Sequence, residues 1–538
     1  MSGSLALVLH AHLPFVRHPE HDEFLEEDWL FEAITESYLP LISMMQRLAR
    51  DEVPFKLTMT VTPTLCAMFQ DELLRERYVR YLDRSLDLAS REIERNRDDE
   101  RVRALAEFYY ARFSECRHQF VEEWKGDLLA AFRALRETGG LELIASAATH
   151  ALLPLLQGSA EAVRAQVQIG CDVYRAAFGA DPAGFWLPEC AYAPGLENIL
   201  GEANLRWFIV DAHGLLFGHP RPRRAIYAPC FTPAGPAAFA RDRDSSRQVW
   251  SAKEGYPGDP AYRDFYRDIG FDLSPEYIRP GSPPSALRKF TGLKYHRITG
   301  GPHDKELYDP AWAENAADAH AAHFLEVRLQ QMNELRALDF DPIVVAPFDA
   351  ELFGHWWFEG PRFLESFIRK AAYGHQDLRL TSREKYGGQD FRLTTPTEFL
   401  TSHPTQQTIS PVASSWGENG HLGVWLDESN AWIYPHLHSA ADRMRQIARR
   451  HSAEADAVTD RLLKQLAREL LLAQSSDWAF LIKTGTAKHY ATKRVTDHLL
   501  RFNRLHEQLV SGRIDEAFLS NCEWRDNLFA DVNWRYYL

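Results

Sequence analysis

The sequence predicts an α/β fold in which parallel strands close into a barrel, with an inserted helical subdomain and a C-terminal all-α domain. Short β-branched and aromatic runs alternate with helical stretches along most of the chain, as in parallel sheets. Polar and charged residues follow nearly every run, where the active face of such a barrel collects its side chains. Two further regions lack strand character and are long and helix-forming.

The predicted strands are short apolar runs with helical patterns between them. The runs are Leu5–Leu9, Phe55–Val61, Leu141–Ala145, Gly184–Leu187, Trp207–Val210 and Ile343–Ala346. Helical periodicity covers Leu30–Arg50 and Ala160–Phe178, and it places helices between successive strands. We therefore assign residues 1–70 and 138–400 to the barrel.

Two helical regions and one irregular segment complete the predicted organisation. Residues 71–137 are charged and helix-forming, which predicts an inserted subdomain whose charge run Arg91–Arg103 faces solvent. Arg221–Asp259 is rich in Pro, Gly, Ala and charge without periodicity, which indicates a lid or a disordered link. Helical patterns continue from about Trp432 to the end, so residues 401–538 are assigned to a C-terminal helical domain.

The composition restricts the class of partner. The chain has 61 basic and 75 acidic residues and a net charge of −14, which argues against nucleic acid or an anionic membrane and is compatible with a neutral polymer. The six cysteines have no CxxC spacing, as expected for reduced thiols in the cytoplasm. The first residues lack a basic leader pattern, and no apolar run approaches the roughly 18 residues of a membrane span.

The segment Ile343–Glu359 carries the strongest chemical signal. A buried parallel strand here would present Asp349 and Glu351 at its carboxyl end, both on one side. The aromatic side chains of His355, Trp356 and Trp357 follow. Carboxylates beside large aromatic faces suit proton transfer at a glycosidic oxygen and the stacking of pyranose rings. The alternative is a strand-end cap beside an ordinary aromatic core cluster.

Histidines and a second acid follow the earlier strands. His10 and His12 form an HxH pair after the first strand, and His150 follows the third. Paired imidazoles serve metal ligation as readily as hydrogen bonding to a sugar. Glu189 follows a short apolar strand and is flanked by Trp186 and Tyr192, so it is well placed to attack an anomeric carbon.

Two weaker motifs come later in the chain. Asp211 and His213 follow another predicted strand. A glycine-rich turn lies between Trp416 and Trp425, and it matches no phosphate-binding fingerprint. We interpret this turn as a sugar-contacting loop between the barrel and the helical domain.

Two mechanisms compete for these residues. In one, His10, His12, Asp349 and either His150 or His213 hold a divalent ion in a hydrolytic barrel. In the other, Glu189 and Asp349 form the working pair of a glycosidase, and the histidines orient sugar hydroxyls. The aromatic neighbours of both acids favour the second.

Five ordered segments resemble the signature regions of glycoside hydrolase family 57. The segments read HAHLP, ATHALLPLL, GFWLPECAY, FDAELFGHWWFEG and SSWGENG, and they extend from His10 to about Asp427. Among family members, the 1,4-α-glucan branching enzymes are the most similar in pattern. The C-terminal helical domain is also expected for that subgroup.

The resemblance implies a (β/α)7 barrel and a retaining mechanism without metal or other cofactor. It places the nucleophile at Glu189 and the acid/base at Asp349. Glu351 belongs to the same motif as Asp349 but is not the proton donor that the resemblance implies. The residues that it and the motifs indicate for substrate binding are His10, His12, His150, Trp186, Asp211, His213, His355, Trp356, Trp357, Trp416 and Trp425. The implied reaction cleaves α-1,4 links and transfers the chain to a 6-hydroxyl.

One departure from the subgroup concerns transfer. Branching members have a mobile loop with a tyrosine near its tip, whereas the candidate loop here, Thr232–Asp244, contains Phe239 and no tyrosine. In addition, the fifth region reads GENG where a second Gly is more usual. The alternatives are a 4-α-glucanotransferase or α-amylase of the family, a metal-dependent hydrolase, and an inactive glucan-binding regulator. The expected partner is an α-glucan, and both a monomer and a homodimer are compatible with the sequence.

Overall fold

A curled, mostly parallel β-sheet lies at the centre of the computed structural model, which describes residues 3–251, 254–283, 285–301, 304–336, 339–373, 391–453 and 455–538. The strands are β1 (Gly3–Ala11), β2 (Leu57–Val61), β3 (Leu141–Ser146), β4 (Gly184–Trp186), β5 (Trp207–Val210), β6 (Cys230–Phe231), β7 (Ala237–Ala240), β8 (Ile343–Asp349) and β9 (Phe391–Leu393). All the strands predicted from the sequence are present, while β6, β7 and β9 were not predicted.

The order of the strands confirms the predicted barrel class. The order is β6-β7-β5-β4-β3-β2-β1-β8, and β9 pairs with the first residues of β1. Neighbours are parallel except β6 and β7. Just beyond β7, a parallel bridge joins Arg241 to Val345 of β8. This bridge brings the edges of the sheet together, so that β1 to β5, β7 and β8 curl into a barrel of seven parallel strands.

Alternation along the strands separates the inside of the barrel from the outside. The inner cluster consists of Ala6, Val8, Ile144, Trp186, Cys190, Trp207, Ile209, Ala237, Phe239, Ile343, Val345, Phe399 and Leu400. The same alternation brings His10, Asp211, Arg241 and Asp349 to the inner side at the carboxyl ends. The register agrees, because His10 pairs with Thr60 on one side and with Asp349 on the other.

Helices cover the outside of the barrel. They are α1 (Glu27–Ala33), α2 (Leu39–Arg50), α3 (Pro63–Gln70), α4 (Glu72–Arg95), α5 (Glu100–His118), α6 (Leu128–Glu137), α7 (Ala160–Phe178), α8 (Leu196–Glu202), α9 (Ala212–Leu216), α10 (Arg243–Trp250), α11 (Ile269–Asp272), α12 (Pro275–Ile278), α13 (Pro310–Arg336), α14 (Gly360–Tyr373) and α15 (Pro396–Ser402). The boundaries of α7 follow from its sequence. The Ser159 side chain caps its first turn, and Gly179 ends it at φ 65°.

The predicted helix Leu30–Arg50 is a continuous helical segment with a distorted middle. A π-helical turn, Ile34–Tyr38, connects α1 to α2. Such turns are rare and occur frequently at functional sites. Another π turn, Gln119–Glu123, follows α5.

The C-terminal region is helical. Its helices are α16 (Ile433–Arg450), α17 (Ala457–Ala473), α18 (Ser476–Thr484), α19 (Lys488–Ser511) and α20 (Glu516–Arg525). Buried contacts tie this region to the rest of the chain: Arg17 donates to the Trp524 carbonyl, and Asn527 donates to Asp71 at 2.8 Å. Arg17 and Asp71 pair with each other at 2.8 Å. Among the described residues, no helix has both the length and the apolarity needed to cross a bilayer.

The domain boundaries stay a proposal. We propose a barrel of residues 1–70 and 138–400, an inserted subdomain of 71–137 and a C-terminal helical domain of 401–538. The succession α4, α5 and α6 between β2 and β3 supports the insertion.

The interpretation of Arg221–Asp259 as a lid or a disordered link was wrong. This segment contains β6, β7 and α10. In particular, Phe239 in the candidate loop Thr232–Asp244 is 1% exposed inside the barrel. The segment Thr232–Asp244 therefore contains a barrel strand, β7 (Ala237–Ala240). The strand was missed because AAFA carries one large residue and no β-branched side chain.

Candidate active site

Glu189 lies just beyond β4 in a strained backbone conformation. Its φ of 62° and ψ of 22° are left-handed, a region that residues other than glycine seldom occupy and that costs about 1–3 kcal/mol. The turn holds its carboxylate between two donors. Trp416 Nε1 donates to Oε2 at 2.8 Å, and Ser476 Oγ donates to Oε1 at 3.2 Å. Backbone strain with this outcome indicates a functional carboxylate.

The surroundings of Glu189 set its protonation. Burial raises the pKa of Glu189 to about 7, although the hydrogen bond from Trp416 lowers it. The charges of Asp349 and Asp477 raise it further. Glu189 is therefore close to half ionised at neutral pH and is a carboxylate above it.

Asp349 is the last residue of β8 and points to the inside of the barrel. Burial raises the pKa of Asp349 well above its ordinary value, and the nearby Glu351 charge raises it further. The positive charge of Arg241 lowers the pKa of Asp349. Burial and the Glu351 charge therefore favour the protonated form of Asp349, which is the form that a proton donor needs.

Glu351 supports the backbone of the site. Its Oε1 accepts the His12 backbone N–H at 3.0 Å and the Tyr38 hydroxyl at 2.5 Å. Burial raises the pKa of Glu351 to about 7. These donors both bind Oε1 and fix the position of the carboxyl beside β1 and the first π turn. That Glu351 is not the proton donor stays a prediction.

The histidines of the first two motifs form a stacked group. Ring centroids are 5.7 Å apart for His10 and His12, 4.9 Å for His10 and His150, and 3.8 Å for His12 and His150. His10 and His150 share a hydrogen bond between their Nε2 atoms at 2.9 Å. Burial, followed by the charges of neighbouring histidines, lowers the pKa of His10 well below its ordinary value. Burial also lowers the pKa of His150, so both rings are neutral at neutral pH.

The N-terminal end of α18 reaches into this group from the C-terminal region. Ser476 Oγ contacts both Glu189 and His150 Nδ1, the latter at 2.9 Å. Asp477 accepts from His12 Nε2 at 3.0 Å and from the Ser475 hydroxyl. Burial raises the pKa of Asp477, but the charge and hydrogen bond of His12 lower it to about 2. Asp477 is therefore a permanent negative charge beside the histidines.

Asp211 and His213 belong to an ion-pair network at the rim. Asp211 accepts from Arg243 at 2.6 Å and from His213 Nδ1 at 2.8 Å. His213 Nε2 contacts the Gly420 carbonyl at 3.0 Å. A Cβ at Gly420, whose φ is 76°, would lie 2.6 Å from the His213 ring. The network holds the glycine-rich turn in place, and Asp211, 2% exposed, is occupied by protein partners.

Three of the predicted substrate-binding tryptophans need correction, because they are buried. Trp186, Trp357 and Trp425 are 0%, 1% and 2% exposed. Trp186 stacks behind His10 at 4.5 Å, Trp357 packs on Phe363, and Trp425 lies against Gly417. These rings support the site from behind and offer no face to a ligand.

The remaining aromatic candidates are accessible or touch a catalytic candidate. Trp356 is 55% exposed and stacks on Phe265 at 4.5 Å. His355 Nδ1 contacts Glu36 of the first π turn at 2.7 Å. Gly354 makes this approach possible, since a Cβ there would lie 1.8 Å from the Glu36 carbonyl oxygen. Together with Trp416, the ring of Trp356 can contact a polymer.

The donor atoms of His12, His150 and Asp477 lie within 4.8 Å of one another, as a metal site requires. Each ring nitrogen has a protein partner: His12 contacts Thr62 and Asp477, and His150 contacts Ser476 and His10. The hydrogen bonds therefore account for the arrangement of these imidazoles, and the metal interpretation had placed Asp349 rather than Asp477 among the ligands.

Sequence reasoning missed Ser476, Asp477 and Arg241 as members of the site. Ser476 lies 287 residues from Glu189 along the chain, and its segment follows a helix rather than a strand. The signal that could have revealed it is the SSD sequence before Trp478, a typical helix start. Arg241 follows the strand that was not recognised.

Comparisons with known proteins agree with this geometry. The model of glycosyl hydrolase family 57 matches residues 6–411, and that of the 1,4-alpha-glucan branching enzyme C-terminal domain matches residues 436–537. A 1,4-alpha-glucan branching enzyme of Thermococcus kodakarensis is 35% identical over 99% of this chain and 78% of its own.

Two solved structures are similar over the full chain. An alpha-amylase from Thermotoga maritima is 43% identical, with a TM-score of 0.91 over 100% of this chain and 99% of its own. A branching enzyme from Pyrococcus horikoshii is 34% identical, with a TM-score of 0.87 over 100% and 97%. On the family match and the full-length relatives, this chain belongs to glycosyl hydrolase family 57.

Proposed function

We propose that this chain is a 1,4-α-glucan branching enzyme that works by a retaining double displacement. In the first step the Glu189 carboxylate bonds to C1 of an internal glucose, the bond from C1 to the departing oxygen breaks, and Asp349 gives that oxygen its proton. In the second step a 6-hydroxyl oxygen bonds to C1 and passes its proton to Asp349. The bond from C1 to Glu189 breaks, and the carboxylate is restored.

The observation that carries this proposal is the pair of buried carboxyls at one end of the barrel. Glu189 and Asp349 both follow inner positions of their strands, and they are close enough for a charge on Asp349 to raise the pKa of Glu189. The raised pKa of Asp349 supports its role as the acid that is protonated before the first step. For retention we expect the carboxyl groups to be roughly 5–5.5 Å apart when substrate is bound.

The protein surroundings suit a sugar. Neutral His10 and His150 present no charge to an uncharged ligand, and Nδ1 of His10 has no hydrogen-bond partner among the described residues. The exposed face of Trp356 beside Phe265 offers a flat apolar surface for a pyranose ring. We propose that His12, His355 and Trp416 also contact the glucan, and that Asp211 and His213 act through the turn that they hold.

The transfer activity is supported by the C-terminal match and by the branching enzymes that cover the full chain. The second candidate is α-amylase activity, favoured by the 43% identity to the alpha-amylase from Thermotoga maritima. The two reactions differ only in the second step, in which water replaces the 6-hydroxyl. Exclusion of water from the ester therefore decides between them.

We further propose that the enzyme builds a glycogen-like polymer in the cytoplasm. The six cysteines are free and buried, as expected for a reducing compartment. The negative net charge of −14 is compatible with an uncharged polymer as partner.

Incubation with amylose tests the proposal. Debranching and chain-length profiling count the α-1,6 links, and a reducing-end assay counts hydrolysis. A branching enzyme gives many new α-1,6 links and few new reducing ends. New reducing ends without α-1,6 links would assign an amylase, and loss of activity to a chelator, restored by zinc, would favour the metal-dependent alternative.

A further inference from the structure

A cavity outside the active site has an unusual excess of positive charge. It lies between α1, α4 and the segment around α11 and α12, and its volume is about 300 Å³. Its lining residues include six Lys and Arg side chains and three carboxylates. A local excess of three positive charges stands out in a chain with a net charge of −14.

The cations come from both walls of the cavity. Arg77, Arg80 and Arg84 line it from α4, where spacings of three and four residues place them on one helix face. On the opposite wall, Arg288 donates to the Phe271 and Leu273 carbonyls. Arg279, by contrast, meets Arg84 of α4 at the Glu23 carboxylate. Guanidinium groups that share one carboxylate in this way can also bind the oxygens of a phosphate.

The carboxylates leave part of this charge uncompensated. Glu23 alone serves two guanidinium groups: it accepts from Arg84 at 2.7 Å and from Arg279 at 2.5 Å. Arg80 has no ion pair or hydrogen bond through its side chain to any described residue. An anion that enters the cavity can therefore bind Arg80 directly and compete with Glu23 for Arg84 and Arg279.

The other two acids are already paired. Glu27 accepts from Arg77 at 2.6 Å, and Asp28 pairs with Lys289 at 2.5 Å. These pairs are mostly buried. An anion that enters the cavity therefore meets Arg80, Arg84 and Arg279 first.

The cavity also has an apolar part. Phe24, Leu25, Pro275, Ile278 and Leu287 contribute to its lining. Leu25 is 39% exposed and Leu287 is 74% exposed, so apolar surface remains for a ligand to cover. A bare inorganic anion would leave this surface in water.

We propose that this cavity binds a phosphorylated small molecule, with its phosphate held by Arg80, Arg84 and Arg279 and its organic part against Leu25 and Leu287. A sugar phosphate and a nucleotide share this chemistry. Both carry the negative charge that would pair with these arginines. The site is independent of the proposed branching reaction.

Calorimetric titration of the full-length protein tests this site. The probes are glucose 1-phosphate, adenosine monophosphate and inorganic phosphate, with glucose and adenosine as uncharged counterparts. We expect saturable binding of at least one organic phosphate and weaker binding of inorganic phosphate. The preferred probe identifies the source of the phosphate. No saturable binding of either organic phosphate, or equal binding of the uncharged counterparts, would overturn the proposal.

Variants locate the site. Arg80→Gln and Arg279→Gln should each weaken binding of the preferred probe about tenfold or more, since each removes a charge-assisted contact. Glu23→Gln should strengthen it, because the competing carboxylate is lost. Arg97→Gln, exposed just beyond α4, is the matched control and should leave it unchanged. Unchanged binding in both arginine variants, with unchanged thermal midpoints, would place the ligand elsewhere.

Discussion

At the scale of single residues, the candidate site contains two carboxyls that the protein holds in different surroundings. Glu189 is kept between Trp416 and Ser476 by a strained turn. Asp349 has no such donors among the described residues, and burial favours its protonated form. Two parallel strand ends thus present carboxyls in surroundings that suit the nucleophile and the acid of the proposed reaction.

The first prediction concerns the nucleophile. Glu189→Gln should lower kcat on amylose by roughly 10⁴-fold or more, because no ester to C1 can form. Binding of amylose should change little, since the exposed rings are intact. Activity assays and affinity electrophoresis measure the two quantities. Glu202→Gln on α8 is the control, and near-normal activity of the Glu189 variant would remove the assignment.

The second prediction concerns pH. The pKa of Glu189 is raised to about 7, and the nucleophile must be ionised. We therefore expect kcat/KM to fall as pH drops below about 7, with the alkaline limb set by loss of the Asp349 proton. In Asp349→Asn the alkaline limb should disappear, together with most of the activity. A profile that stays flat from pH 7 down to pH 5 would contradict the raised pKa.

The third prediction follows from the same raised pKa. A carboxyl whose pKa is higher in the folded state disfavours folding once it ionises, so stability is lost as pH rises from about 4.5 through about 7. Glu189→Gln should therefore raise the free energy of unfolding by on the order of 2 kcal/mol at pH 8 and by little at pH 4. Denaturant unfolding at both pH values measures this. An equal effect at both would mean that ionisation is not the cause.

At the scale of elements, short segments from distant parts of the chain complete the site. The π turn Ile34–Tyr38 directs Glu36 to His355 and Tyr38 to Glu351. The start of α18 supplies Ser476 and Asp477. These elements position His355, Glu351 and Glu189 through hydrogen bonds.

The fourth prediction tests the start of α18. Ser476→Ala removes a hydrogen bond that favours the ionised form of Glu189, so the acidic limb of the pH profile should move to higher pH. We expect kcat/KM at pH 6 to fall about tenfold and the loss to shrink at pH 8. Ser439→Ala on α16 is the control. A loss that is equal at all pH values would indicate a structural role only.

At the scale of the whole molecule, the barrel and the C-terminal helices form one unit around the active site. Besides the contacts of Ser476 and Asp477, Arg494 donates to the Phe15 carbonyl at 3.1 Å, and His18 contacts Tyr490 at 2.8 Å. Loss of the C-terminal region would therefore uncover buried polar groups in the barrel. We expect the two regions to unfold together.

The fifth prediction addresses this coupling. Arg17→Met leaves the buried Asp71 without its ion pair, which should cost about 3 kcal/mol of unfolding free energy. Calorimetry should still show a single transition that coincides with the loss of activity, at a lower temperature. Arg50→Met removes an exposed ion pair with Asp51, and it should change the transition temperature only slightly. Two separate transitions in the wild-type protein would contradict the coupling.

Local sequence alone determined the strand positions, the barrel class and the two carboxyls at strand ends. Hydrophobic periodicity and motif order are local properties, and buried parallel strands express them strongly. By contrast, the strand Ala237–Ala240 has little local signal, because its small residues fit only the space that its neighbours leave.

Tertiary structure alone decided which side chains meet and which are exposed. Trp356 and Trp357 are adjacent in sequence, yet one is 55% exposed and the other 1%, because burial depends on neighbours such as Phe363. Ser476 joins Glu189 across 287 residues. Neither fact has a local cause: packing partners and long-range contacts are set only when the helices close on the barrel.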